Sequence, residues 1–122
     1  MFFPVSEWLP AFLLTLAVEV PIGAYLLRRA EPDLARRLLL VVFANLLTHP
    51  SVWFVFTQLF LIGTLEYTLA AEAWAIAIEA LFYLVTIQGL GPRRALGVAV
   101  VANLASFAVG RLMTGFGWEA LS

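Results

Sequence analysis

The sequence has no cysteine, a single histidine and only 12% charged residues, and all seven basic residues are arginine. Each scarcity excludes something. Without Cys there is neither a disulfide scaffold of the secreted kind nor a thiolate metal site. With a net charge of −1 and basic residues mostly in short Arg pairs, no basic face is available for nucleic acid. A soluble domain carries roughly 25% charged and about 45–50% apolar residues. Here 63% of 122 residues are hydrophobic, and mean hydropathy is +0.98. So little polar surface cannot cover a water-facing shell, which excludes both an ordinary soluble enzyme and a disordered tail. The expectation is an all-α integral membrane protein, a single membrane domain over 1–122.

A membrane-spanning helix needs about 20 predominantly apolar residues. Four stretches qualify: Trp8 to Leu27, Leu34 to Gly63, Leu69 to Leu90, and Ala95 to Met113. The first ends at Arg28-Arg29, and Asp33 stands where an N-cap for the second belongs. The second is too long for one straight span and contains Pro50, which predicts a kink or an unwound step at Thr48-His49-Pro50. A re-entrant segment over 51–63 is the weaker alternative, because it shortens the span. Gly89-Leu90-Gly91-Pro92 breaks the chain after the third, and Gly115-Phe116-Gly117 after the fourth.

Six arginines fall around two turns: Arg28, Arg29, Arg36 and Arg37, then Arg93 and Arg94. The positive-inside rule makes both turns cytoplasmic, places both termini outside, and puts the chain in a plasma membrane of the bacterial inner type. Trp8, Trp53, Tyr67 and Trp118 then lie toward the outer interface, where aromatic anchors are expected. The opening Met1-Phe2-Phe3-Pro4 carries no basic region, so the first span does not read as a signal peptide.

The chain also repeats itself. Arg36-Arg37 is followed by an apolar stretch and Ala44-Asn45-Leu46-Leu47-Thr48; Arg93-Arg94 is followed by an apolar stretch and Ala102-Asn103-Leu104-Ala105-Ser106. Upstream, each half has one acid inside an apolar helix, Glu19 and Glu79. The pattern predicts a four-helix bundle of two parallel-repeat hairpins, about 7–63 and 66–115, related by an axis along the membrane normal.

Counting from the loops puts Glu19, Asn45, His49, Glu79 and Asn103 in the central third of the bilayer. A charged side chain there costs about 2.5–3.5 kcal/mol on insertion scales and marks a functional site by default. Helical spacing gathers Thr15, Glu19 and Gly23 on one stripe, Asn45 and His49 on another, Glu72, Glu79 and Tyr83 on a third, and Asn103, Ser106 and Gly110 on the fourth. Lipid satisfies none of them, so the stripes are expected to meet. Two carboxylates, two amides and the hydroxyls of Thr48 and Ser106 suit a proton or a cation such as Na⁺. Glu19, His49 and Glu79 together would tilt the choice toward a transition metal, the one bound cofactor the composition suggests. Glu72 and Arg111, at similar depth, are expected to form a structural ion pair. For Asn45 and Asn103, interhelical hydrogen bonding is as good an account as ligand binding.

In size, span number and the acid of Ala17-Val18-Glu19-Val20, the chain resembles the small multidrug resistance transporters, which implies exchange of a substrate against protons through Glu19. It lacks the glycine-rich third helix of that family, and Glu79 and the His49-Pro50 step depart from it. The leading expectation is a cation- or proton-coupled transporter or channel. Four helices enclose little space, so a pathway needs a homodimer or larger assembly, or runs between the hairpins. The alternatives are a non-catalytic subunit or assembly factor whose polar stripes bind partner helices, and an intramembrane enzyme using a carboxylate and His49. The enzyme has the least support, since there is no HExxH, no Gly-x-Ser-x-Gly and no Asp inside a span.

Overall fold

The computed structural model describes residues 5–59 and 64–115. They form five helices: α1 (Val5–Leu26), α2 (Leu34–Phe54), the single turn α3 (Phe56–Leu59), α4 (Leu65–Thr86) and α5 (Pro92–Gly115). All but α3 are long and apolar enough to cross a membrane, which marks the chain as a membrane protein. Trp118 and residues 60–63, which the sequence reading placed in an anchor and in the second span, lie outside the described residues.

Local chemistry sets the helix ends. Asp33 caps α2 as expected, its Oδ1 accepting from Ala35 N at 3.1 Å. Thr64 does the same for α4 toward Tyr67 N at 3.2 Å. Gly89, at φ +81°, turns the chain between α4 and α5 in a conformation only glycine adopts freely. The second apolar stretch is not one helix to Gly63. α2 stops at Phe54, whose successor Val55 caps it, and α3 starts afresh. No unwound step occurs at Thr48-His49-Pro50, because α2 continues helically through Pro50. Its 21 residues suffice for a span, so nothing requires a re-entrant segment.

Around the bundle the helices run α1, α2, α4, α5 and back to α1; among the described residues, no contacts join α1 to α4 or α2 to α5 across the diagonals. Two arginines tie the loop ends together. Arg37 Nη1 donates to Ala24 O at the end of α1 (2.8 Å), and Arg36 Nη2 to Thr86 O at the end of α4 (2.8 Å). Each satisfies a carbonyl left over by a helix C-terminus. Both Arg-bearing turns therefore share one end of the bundle, and Tyr67 Oη, donating to Val52 O at 3.2 Å, links α4 to α2 at the other.

Buried positions recur at helical spacing. In α1 they include Ala11, Glu19 and Gly23, with Leu27 just past its end; in α4, Ala71, Ala75, Glu79 and Tyr83, with Ile87 as its C-cap. In α2 they are Leu40, Val41, Ala44, Asn45 and Thr48, and in α5 they include Val98, Ala99, Ala102 and Asn103 at matching spacing. The alanines let the backbones approach closely. Gly23 makes room for Val41, since a Cβ there would stand 2.6 Å from Val41 Cγ2 and force a shift. Outward faces carry Leu13, Leu39, Val85 and Leu112, apolar side chains that suit lipid rather than water. The apolar core, built of Leu27, Leu40, Val41, Ala44, Tyr83, Ile87, Leu90, Ala95 and Val98, fills the arginine end.

Candidate functional site: a carboxylate-lined cavity

Beyond that apolar plug the four polar stripes converge. Glu79, from α4, is 1% exposed, and both its oxygens are engaged: Oε2 accepts from Thr48 Oγ1 (2.8 Å) and Oε1 from Asn103 Nδ2 (3.0 Å). Glu19, from α1, is also 1% exposed; its Oε2 accepts from Ser106 Oγ at 2.7 Å, and its Oε1 has no hydrogen-bond partner. Ser106 Oγ also lies 3.1 Å from Asn103 O, so Asn103 and Ser106 of α5 form a bridge between the two acids.

The bonds exchange between hairpins. The acid of the first hairpin is bonded by the hydroxyl of the second, and the acid of the second by the hydroxyl of the first. In both, the asparagine three residues before that hydroxyl donates one turn back along its own helix: Asn45 Nδ2 to Val41 O (2.9 Å) and Asn103 Nδ2 to Ala99 O (2.8 Å). Asn103 uses its second amide hydrogen on Glu79.

These groups border a half-open cavity of about 180 Å³ that extends from the two acids toward the end where α4 begins. That space is large enough for several waters, and its walls offer them polar partners. Of the residues expected at the site, Glu19, Asn45, Thr48, His49, Glu79, Asn103 and Ser106 all line it. Tyr83 does not. It is 1% exposed, one turn past Glu79, and belongs to the apolar plug.

Two expectations need correction. Glu72 and Arg111 form no ion pair; among the described residues, the one salt bridge joins Arg36 and Glu31 at 2.8 Å. Arg111 is exposed while Glu72 lines the cavity with Oε2 buried and unpartnered. The depth count alone does not say which way a helix faces, and the two residues lie in different surroundings. The metal trio also fails to assemble: among the described residues, no three His, Asp or Glu side chains stand close enough to hold a metal ion. His49 is occupied otherwise. Trp8 Nε1 donates to its Nδ1 (3.0 Å), and its Nε2 lies 3.2 Å from Thr15 Oγ1. With Nδ1 accepting, the neutral ring carries its hydrogen on Nε2 and donates to Thr15. Phe12 and Trp53 pack against the same ring.

Sequence reasoning treated Trp8, Trp53 and Tyr67 as interfacial anchors. Trp53 and Tyr67 are walls of the cavity, and Trp8 is the partner of His49. The available signal was the spacing Trp8, Phe12, Thr15, Glu19, which puts all four on one face of α1.

The molecule is thus a bundle with four helices able to cross a membrane and a buried acidic cavity on one side of an apolar plug. Comparisons with protein-family models, with curated proteins and with solved structures find no match.

Proposed function

We propose that this chain is a small proton- or cation-coupled transporter or channel, with protons held on Glu19 and Glu79. The observation that carries the reading is that both mid-helix acids lie at the inner end of one cavity and are bonded to each other's hairpin. Helix association alone does not call for two buried acids, since Asn, Ser and Thr supply interhelical hydrogen bonds at lower cost. Engagement of both His49 nitrogens leaves no imidazole free to act as base, which favours transport over an enzyme. The lack of a clustered triad of ligands among the described residues favours protons or a monovalent cation over a transition metal.

The reading includes an orientation, a symmetry and an assembly. The arginine end faces the cytoplasm of a bacterial inner membrane and the cavity faces outward. The hairpins α1–α2 and α4–α5 are parallel repeats about an axis along the membrane normal. Reciprocal Glu19–Ser106 and Glu79–Thr48 bonds, and equivalent helices on the diagonals, support this. A bend of α2 at Pro50, which leaves Leu46 O without its usual donor, supplies flexibility beside the site. Passage to the arginine end requires the apolar plug to part, most simply between the hairpins or at an interface between two copies.

Proteoliposomes loaded with a pH-sensitive dye test the function. An imposed pH difference is expected to drive proton flux above that of empty vesicles, and Glu19→Gln or Glu79→Gln to lower it at least tenfold. Equal flux in wild type, both variants and empty vesicles would refute the proposal.

A further inference from the structure

Resting on the proton-coupled reading, we propose that Glu72 is a second proton-binding station, which takes protons from water in the cavity and passes them to Glu19.

Three observations converge on it. Glu72 Oε2 is buried and has no hydrogen-bond partner, although the side chain borders a cavity. Such an atom lacks the bonds that normally accompany burial, and added water or a proton on the carboxyl supplies one. A second orphan, Glu19 Oε1, borders the same cavity, on a residue 1% exposed. An acceptor with nothing bonded to it is thus present at both ends of the transfer. Glu72 also precedes Glu79 by two helical turns, about 10 Å along α4, next to Thr68 and Tyr67 at the far end of the cavity.

The matching position in the first hairpin sharpens the case. Phe12 stands seven residues before Glu19 as Glu72 stands seven before Glu79. Phe12 is 7% exposed and stacks on Trp8 with ring centroids 5.0 Å apart. One half fills the position with a packed ring, and the other places an acid on the cavity wall.

The transfer balances simply. A hydronium ion entering the cavity gives a proton to Glu72, forming a carboxyl O–H and leaving water. That O–H then breaks as the proton moves through cavity water to Glu19 Oε1, where a new O–H forms and Glu72 returns to carboxylate. Among the described residues, the titratable groups that share the cavity with Glu72 are Tyr67 and Glu79 from α4, His49 from α2 and Glu19 from α1; α5 contributes Asn103, Ser106 and Phe107, which do not titrate.

The test combines infrared titration of the carboxylic C=O band with the dye-vesicle assay, on the full chain carrying Glu72→Gln, Glu72→Asp or Glu19→Gln. One carboxylic band should vanish in Glu72→Gln, remain in Glu72→Asp, and shift its titration midpoint in Glu19→Gln. Proton flux should fall at least tenfold in Glu72→Gln and recover most of the way in Glu72→Asp, which also excludes simple misfolding. If Glu72→Gln keeps wild-type flux while Glu19→Gln abolishes it, the station is overturned and the transport reading stands. If neither the wild type nor any variant exceeds empty vesicles, the transport reading falls. The infrared result then judges Glu72 by itself: a spectrum unchanged by Glu72→Gln refutes it as a proton site.

Discussion

At the residue scale, the site rests on a few short bonds between largely buried groups. Thr48 and Glu79 illustrate the energetics. Thr48→Val keeps the shape but removes the hydroxyl that reaches Glu79 Oε2 at 2.8 Å, leaving a buried acceptor with one donor fewer. Such a loss costs about 1 kcal/mol, within the range measured for hydrogen bonds between membrane helices. Equilibrium unfolding in mixed micelles should register that cost in the wild-type background and lose it in Glu79→Leu. An identical cost in both backgrounds would show that the bond contributes nothing. His49 yields a second prediction. Because Trp8 and Thr15 occupy both ring nitrogens, zinc addition or chelator treatment should leave the melting temperature unchanged, whereas His49→Ala should lower it. A zinc-induced rise that His49→Ala abolishes would restore the metal reading.

At the scale of elements, the packing of α1 against α2 has a sharp requirement at Gly23, where a Cβ would meet Val41 Cγ2 at 2.6 Å. Gly23→Ala should therefore destabilise the bundle by about 1–3 kcal/mol, the usual cost of overpacking. In the proposed repeat, the positions matching Gly23 and Val41 hold Tyr83 and Ala99, large and small exchanged. Hence Gly23→Ala combined with Val41→Ala should regain most of the loss in a double-mutant cycle. Strict additivity would mean that the two residues do not meet. The polar stripes were readable from sequence because helical spacing fixes which residues share a face, and lipid leaves them only the interior. Asp33 as a cap was readable because its signal is local. Helix rotation was not: depth paired Glu72 with Arg111, though Glu72 borders the cavity and Arg111 is exposed. The end of α2 was equally hidden, since Phe56, Leu59 and Leu61 keep the sequence apolar beyond Phe54 and no breaker intervenes before Gly63.

At the scale of the whole molecule, the two ends of the bundle differ in kind. One is closed by an apolar plug and rimmed by arginines, two of which also cap neighbouring helices. The sequence marked those residues as topology signals, and their capping role needed the fold, because Arg36 reaches a carbonyl 50 residues away. The other end holds the cavity. On the proposed reading, which end faces the cytoplasm decides the side from which protons would first be taken up, so orientation is part of what must be tested. A chain without native cysteine allows a direct measurement. Gln88, in the α4–α5 turn, and Glu66, in the first turn of α4, are both exposed and stand at opposite ends. In intact cells, an impermeant maleimide should label Glu66→Cys and spare Gln88→Cys, which should react only after the membrane is opened. The reverse pattern would turn the molecule over and make the cavity a cytoplasmic one. Equal labelling of Glu66→Cys and Gln88→Cys in intact cells would reveal a mixed orientation. Removing Arg93 and Arg94 should then increase the minority form, because positively charged loop residues bias orientation toward the cytoplasmic side.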